Sequence, residues 1–543
     1  MTDYNDFFTW DMLHEASGTV GMQVFNPMIK YYRDIIKEGL PASAVLTGKT
    51  APKVGIVGGG MAGLVSAELL SNAGYDVTIL EAAERIGGRI HTVTFPNKDS
   101  SEAGAMRLLE DYKLVFDYLD KLGLKKHAFI NHDSNGQDWV FVNGVKIRRK
   151  KYLENPDCLG FKTIGSERGK TADTLWNEAL EPLLAMVDQS KGLDTIENWR
   201  KVIDRYGKYS VYTYLVEEVR FSQGAIDMIV VMLFLEARMH LSLLQQFVEA
   251  VDHRPGAKYF GIDGGSSRLP EALLDALTKP NEDSKSHRIP VKIKFGAFVS
   301  DLTQNAAQDK VTVFWHENNA SVPVIDKGND QIIYPQPKTQ KSETFDYSIV
   351  TCTPPAIRRF RFTPVLPEDK QKALREINLN ASTKIFLQFK EKFWLKDGFA
   401  HGSSVTDLPS RAVYYPSTDD SKVVISSYTW AMSARGWDSL TPQQRVDESL
   451  NDLCRLHGDC IRELFVCGQS YSWLLDDYSM GEAAMIFPEQ LSLQGILARP
   501  VGNIYFAGDT LSFKVAWIEG AIESGMRAVL ELVGLPPVPP VPS

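Results

Sequence analysis

Residues 54–89 read VGIVGGGMAGLVSAELLSNAGYDVTILEAAERIGGR, and the fold turns on how they are interpreted. Residues 54–57 form a short apolar run of buried-strand type. The run breaks at Gly58, Gly60 and Gly63 into a helical pattern carried by Leu64, Ala67, Leu69 and Leu70. Gly58 permits a tight turn, Gly60 lets backbone N–H groups approach a pyrophosphate, and Gly63 lets the helix lie close to its strand. The helix start then offers free N–H groups and positive dipole to phosphate. A second strand over 76–80 runs into Glu81, 18 residues past Gly63. A carboxylate there can bond the hydroxyls of an unphosphorylated adenosine ribose.

Composition narrows the function classes. The chain has 543 residues, 44% of them hydrophobic, enough for about three domains. A net charge of -9 argues against nucleic acid as a partner, since phosphate binding draws on excess Lys and Arg. The basic run Lys146, Arg148, Arg149, Lys150 and Lys151 reads as a solvated face. No apolar window is long enough to span a membrane, and the N-terminus lacks a basic segment followed by an apolar one, so cytoplasm is the default location. The five cysteines are odd in number and lack CxxC spacing, so neither a disulfide framework nor a metal site is expected.

Outside the nucleotide unit, residues 1–50 read as an N-terminal arm whose Phe25, Met28, Ile29, Tyr32, Ile35 and Ile36 share one helix face. Strands are expected near 139–142 and 145–147 across an Asn143-Gly144 hairpin turn. Helical runs over 225–235 and 241–251 mark a helical insertion between 155 and 256. Apolar or alternating runs at 291–295, 298–302, 311–315 and 347–351 read as strands around a polar loop at 318–342. The motif Phe506-Ala507-Gly508-Asp509 ends a buried strand and precedes a helix striped by Ile518, Ala521, Ile522, Met526, Val529 and Leu530. The class is α/β. The tail 536–543 is proline-rich and reads as extended.

The run Glu84-Arg85-Ile86-Gly87-Gly88-Arg89 extends the nucleotide motif in a way that resembles the two-dinucleotide-binding flavoproteins of the amine oxidase superfamily, which favours FAD over NAD. Further blocks sharpen the likeness: EAGAMR, IDGGSSRLPEAL, STKIFLQFKEKFW, YSWLLDDYSMG and FAGDTLSFKVAWIEGAIESG stand in the order found in flavin-dependent L-amino acid oxidases. The resemblance covers about residues 51–535. It implies a Rossmann-like FAD domain from 51–90, 257–375 and 500–535, a mixed-sheet substrate domain from 91–154 and 376–499, and a helical domain over 155–256.

Carried over residue by residue, the resemblance implies that Met61, Ala62, Glu81, Ala82 and Arg89 contact FAD. It places Gly104, Ala105 and Met106 beside the ring system, the Val299 backbone near the adenine and Trp473 near the flavin. Gly508 and Asp509 would lie near the pyrophosphate and ribitol, and the segment Trp517, Ile518 to Ala521 along the isoalloxazine. Arg107 would grip an α-carboxylate through paired hydrogen bonds, with Tyr428 adding a hydroxyl. Ala516 would offer its carbonyl to the α-amine, Trp517 an aromatic wall, Trp430 and Ala483 an apolar side-chain pocket, and Glu482 room for polar groups. His253 is the candidate base, and Lys384 the family lysine that holds a water near the flavin. No cysteine stands in 480–484, where covalent relatives attach the cofactor, so FAD is expected to be noncovalent.

The implied reaction is oxidative deamination of L-amino acids by O2 to 2-oxo acids, ammonia and hydrogen peroxide, broad but favouring large apolar or aromatic side chains. The alternatives are a polyamine or monoamine oxidase, a tryptophan 2-monooxygenase, or a noncatalytic FAD-fold scaffold. Family members are often dimers or dimers of dimers.

Overall fold

The computed structural model describes residues 22–46, 48, 50–187, 196–252, 256–280, 287–317, 324–326, 331–333, 340–418, 420–512 and 514–537. The apolar run at 54–57 becomes the central strand Lys53–Val57 of a five-stranded parallel sheet. Its strand order is Lys292–Lys294, Asp76–Leu80, Lys53–Val57, Tyr347–Val350, Ile504–Phe506. The inner strands Lys53–Val57, Asp76–Leu80 and Tyr347–Val350 are buried on both faces, which is why they run largely apolar instead of alternating. Register sets the site: Val57 pairs with both Leu80 and Val350, and Val350 with Phe506. The residues that follow, Gly58, Glu81, Thr351 and Ala507, therefore leave the sheet at one level, at the carboxyl edge where open α/β sheets bind ligands.

Two glycines make this edge compact. A Cβ added at Gly63 would stand 2.1 Å from the Gly58 carbonyl oxygen, so helix Met61–Asn72 can press against the turn only with glycine there. Helix Ile518–Leu532 crosses the same helix at Gly525, where a Cβ would meet Ala62 O at 2.6 Å. The N-terminal helix Met22–Glu38 buries Tyr32, Ile35 and Ile36 in the same core, and Arg33 forks onto Asp117 at 2.6 and 3.0 Å. The side chains of Phe25 and Met28, and residues 538–543 of the tail, lie outside the described residues.

A second, seven-stranded sheet runs Phe465–Ser472, Ser382–Phe389, Val423–Trp430, Ala412–Tyr415, Gly402–Thr406, Trp139–Val142, Val145–Arg148. It is mixed, because Gly402–Thr406 and Trp139–Val142 pair in parallel while the rest are antiparallel. The Asn143-Gly144 turn takes φ of 53° and 75°, the left-handed pair a tight hairpin needs. Lys384 stands opposite both Tyr428 and Tyr471 in register, and Ser382 opposite Trp430, so one sheet face gathers these side chains.

Two readings of local structure need correction. The apolar run 225–235 is helical only as Gln223–Met232, because Phe234 takes a φ of +56° and the helix closes with Leu235 N bonded to Val230 O. The polar stretch 318–342 is not simply loop: Val324–Asp326 pairs with Gln331–Ile333, and Gln340 begins a strand that runs to Phe345. Strands of three residues are too short for a two-residue alternation to register in the sequence.

Candidate active site

Between the carboxyl edge of the parallel sheet and the inner face of the mixed sheet lies a cavity of about 740 Å³. Its first end is built from backbone. Gly58, with φ +107°, turns the chain, and Gly60 faces open space, since a Cβ there would meet nothing within 4 Å. Helix Met61–Asn72 has no side-chain cap, and the N–H groups of Met61 and Ala62 find no acceptor among the described residues. Orphan N–H groups at a helix start, opening onto a cavity, fit the pyrophosphate of a dinucleotide.

Glu81 is buried at the cavity wall and accepts from Gly59 N at 2.6 Å and Ala83 N at 2.8 Å. Each oxygen keeps a lone pair for a ribose hydroxyl. Burial raises its pKa against those two bonds. Ala82 adjoins it, and Val299 lies at the start of a bulge between 299 and 301 that breaks the ladder beside the cavity. Arg89 ion-pairs with Asp509, which also accepts from Ala516 N at 3.0 Å, and donates to the Glu482 carbonyl. Asp509 is thus tied to an arginine instead of merely capping a helix. Both it and Arg89, with Gly508, line the cavity.

The middle is aromatic and close-fitting. A Cβ at Gly104 would lie 1.8 Å from Arg89 O, so the segment Gly104, Ala105, Met106 can pass the cavity only with glycine at its head. Trp473 is buried and donates Nε1 to Ala103 O at 2.9 Å; Trp517 packs edge-on against Tyr112 with centroids 5.0 Å apart. Ile518 and Ala521 complete this wall, and Ala516 enters it in the left-handed region at φ 71°.

Lys384 stands behind that wall and does not line the cavity. Its Nζ donates to Glu102 O at 2.9 Å and Gly104 O at 2.8 Å, and lies 4.3 Å from the Tyr428 ring centroid. Burial lowers its pKa to about 8, and nearby Glu102 is pushed up to about 7 by its own burial.

At the far end Arg107 donates to Asn131 Oδ1 at 2.6 Å and lies 5.2 Å from the Tyr259 ring centroid. Burial works against its proton, but the electrostatic influence of Tyr414, Tyr259 and Tyr428 leaves its pKa raised. No carboxylate pairs with Arg107 among the described residues. Tyr428 lies in the same cavity, with its hydroxyl donating to Glu482 Oε1 at 2.9 Å. Trp430 donates to the same oxygen at 3.3 Å, and Ala483 follows Glu482 along the wall. Glu482 has its pKa raised by burial.

Sequence reasoning missed Asn131, Tyr414 and Arg238, which is paired with Glu249 at 2.5 Å on the helical side of the cavity. None belongs to a motif. Tyr414 sits in the uniformly buried strand Ala412–Tyr415, where an aromatic reads as core. His253 lies outside the described residues.

A family model described as flavin containing amine oxidoreductase matches residues 61–533. The chain is 35% identical over 516 residues to YobN of Bacillus subtilis (strain 168), covering 92% of this chain and 98% of that one. It is 33% identical to an L-amino-acid oxidase of Siganus canaliculatus, over 92% of this chain and 87% of the relative. With an L-amino-acid oxidase of Pseudechis australis the identity is 31%, over 97% and 96%. A solved putrescine oxidase shares the fold at a TM-score of 0.68 and 20% identity, over 89% of this chain and 99% of that one.

Proposed function

The chain belongs to the family of flavin-containing amine oxidoreductases, and from that premise we propose that it deaminates L-amino acids oxidatively to 2-oxo acids, ammonia and hydrogen peroxide. The observation that carries the reading is Arg107: a cavity-lining guanidinium, held by Asn131 and stacked over the Tyr259 ring, with no carboxylate partner among the described residues. A planar fork held in this way suits an α-carboxylate and has no use for a simple amine.

FAD fits the remaining walls. The N–H groups of Met61 and Ala62 would hold its pyrophosphate, Glu81 its ribose, Val299 its adenine, and Gly104 to Met106, Trp473 and Trp517 to Ala521 its ring. When bound, the flavin supplies the two-electron acceptor for the substrate Cα–H bond and hands those electrons to O2. Arg107 and Tyr428 fix the carboxylate, which makes the reaction effectively intramolecular. The Ala516 carbonyl receives the α-amine, and Trp517 closes one side of the substrate. Lys384, held against the Gly104 carbonyl, places positive charge behind the wall during oxygen reduction. The α-amine must be neutral when the bond breaks, and its proton leaves to water or to His253.

A second reading, an amine oxidase, gains support from the carboxylate of Glu482, which would suit a diamine. Product analysis tests both. Stoichiometric 2-oxo acid, ammonia and peroxide from an L-amino acid support deamination. An amide product would indicate a monooxygenase, and peroxide from amines alone would sink the amino acid reading.

A further inference from the structure

Among the described residues Glu482 is the one carboxylate bonded to Tyr428 and Trp430, and its two oxygens are in different situations. Oε1 receives both the Tyr428 hydroxyl and the Trp430 indole N–H. Oε2 receives nothing among the described residues, although the residue lines the cavity. The nearby cations do not fill the gap. Lys384 commits its ammonium to the carbonyls of Glu102 and Gly104, and Arg238 commits its guanidinium to Glu249 and Gln246. Both act on Glu482 only through space. A half-buried carboxylate with one oxygen unmatched and turned to a cavity is an acceptor prepared for a donor that arrives with the ligand.

Its placement says which donor. Arg107, Tyr428 and Glu482 line one cavity, and the Tyr428 hydroxyl bonds Glu482 directly. The rings of Phe234 and Trp430, 6.4 Å apart, supply apolar surface for methylenes. An extended zwitterion anchored by its carboxylate at Arg107 can thus meet a second, opposite charge. Resting on the deamination reading above, we propose that Glu482 determines specificity: its free oxygen receives the terminal N–H donor of the substrate side chain. The preferred class is L-amino acids bearing an ammonium, guanidinium or amide beyond several methylenes, and acidic side chains are rejected.

The test compares near-isosteric pairs on the flavin-loaded enzyme: L-lysine against L-norleucine, and L-glutamine against L-glutamate. The wild type should favour L-lysine by about a hundredfold in kcat/KM, the scale of leaving one polar group without its partner. Glu482→Gln, checked for retained flavin absorbance, should collapse that ratio and raise L-glutamate relative to L-glutamine. Calorimetry with α-methyl-L-lysine and α-methyl-L-norleucine, which lack the Cα–H and cannot react, should show the same Glu482-dependent preference. Equal use of lysine and norleucine, or ratios unmoved by Glu482→Gln, would overturn the proposal, as would better turnover of the decarboxylated diamine than of L-lysine. Failure of every L-amino acid to react would instead overturn the deamination reading, and the binding pair would still decide the role of Glu482.

Discussion

The two ends of the cavity are built by different means. At the nucleotide end, contacts come from backbone: a glycine turn, a helix start and a strand edge, all set by the register of one parallel sheet. At the substrate end they come from side chains on widely separated segments, with Arg107, Asn131, Tyr259, Tyr414, Tyr428 and Glu482 each delivered by its own stretch of chain. At Gly63 and Gly104 the packed backbone leaves no room for an added atom, whereas a side-chain cluster can be altered one member at a time. The first end should fail as a whole, and the second by degrees.

The largest effect is expected at the rigid end. Gly63→Val or Gly104→Ala would drive a side chain into a carbonyl now 2.1 or 1.8 Å from an ideal Cβ. The purified variants should lack flavin absorbance altogether; normal yellow holoenzyme would break the contrast. Next comes Arg107→Ala, which should lower kcat/KM for L-leucine about a thousandfold, as expected when a desolvated charge loses its partner. An unchanged KM would show that the carboxylate is held elsewhere. Asn131→Ala, which frees the guanidinium without removing it, should raise KM about tenfold, the worth of one charged hydrogen bond.

The smallest effect is in pH. Lys384 has its pKa lowered by burial to about 8, so it is charged below that value and neutral above it. It is faced by Glu102, Glu482, Arg107 and the Tyr428 ring. The oxygen half-reaction should therefore slow severalfold as pH rises through about 8, and Lys384→Met should remove the inflection. A flat profile in the wild type would take the lysine charge out of the account.

The same contrast explains what the sequence revealed. The glycine spacing, the apolar strand at 54–57 and Glu81 fixed the nucleotide end, because a backbone site leaves a local signature. Arg107, Ala516 and Trp517 stand in blocks that resemble a family, and Tyr428 and Trp430 are assigned by their place in that family's pattern; all five line the cavity. Asn131, Tyr414 and Arg238 were not found, since a residue that orients another from a distant loop, strand or helix has no spacing of its own. The helix end at Met232 escaped for a similar reason: tertiary packing of Phe234 overrides an apolar run that reads as uninterrupted helix.

The central claim is that Arg107 selects a carboxylate-bearing substrate for the flavin beside it. Anaerobic addition of L-leucine or of its decarboxylated amine, followed by the visible spectrum, tests this most directly. Bleaching by the amino acid and none by the amine is the predicted result; bleaching by the amine alone would contradict it.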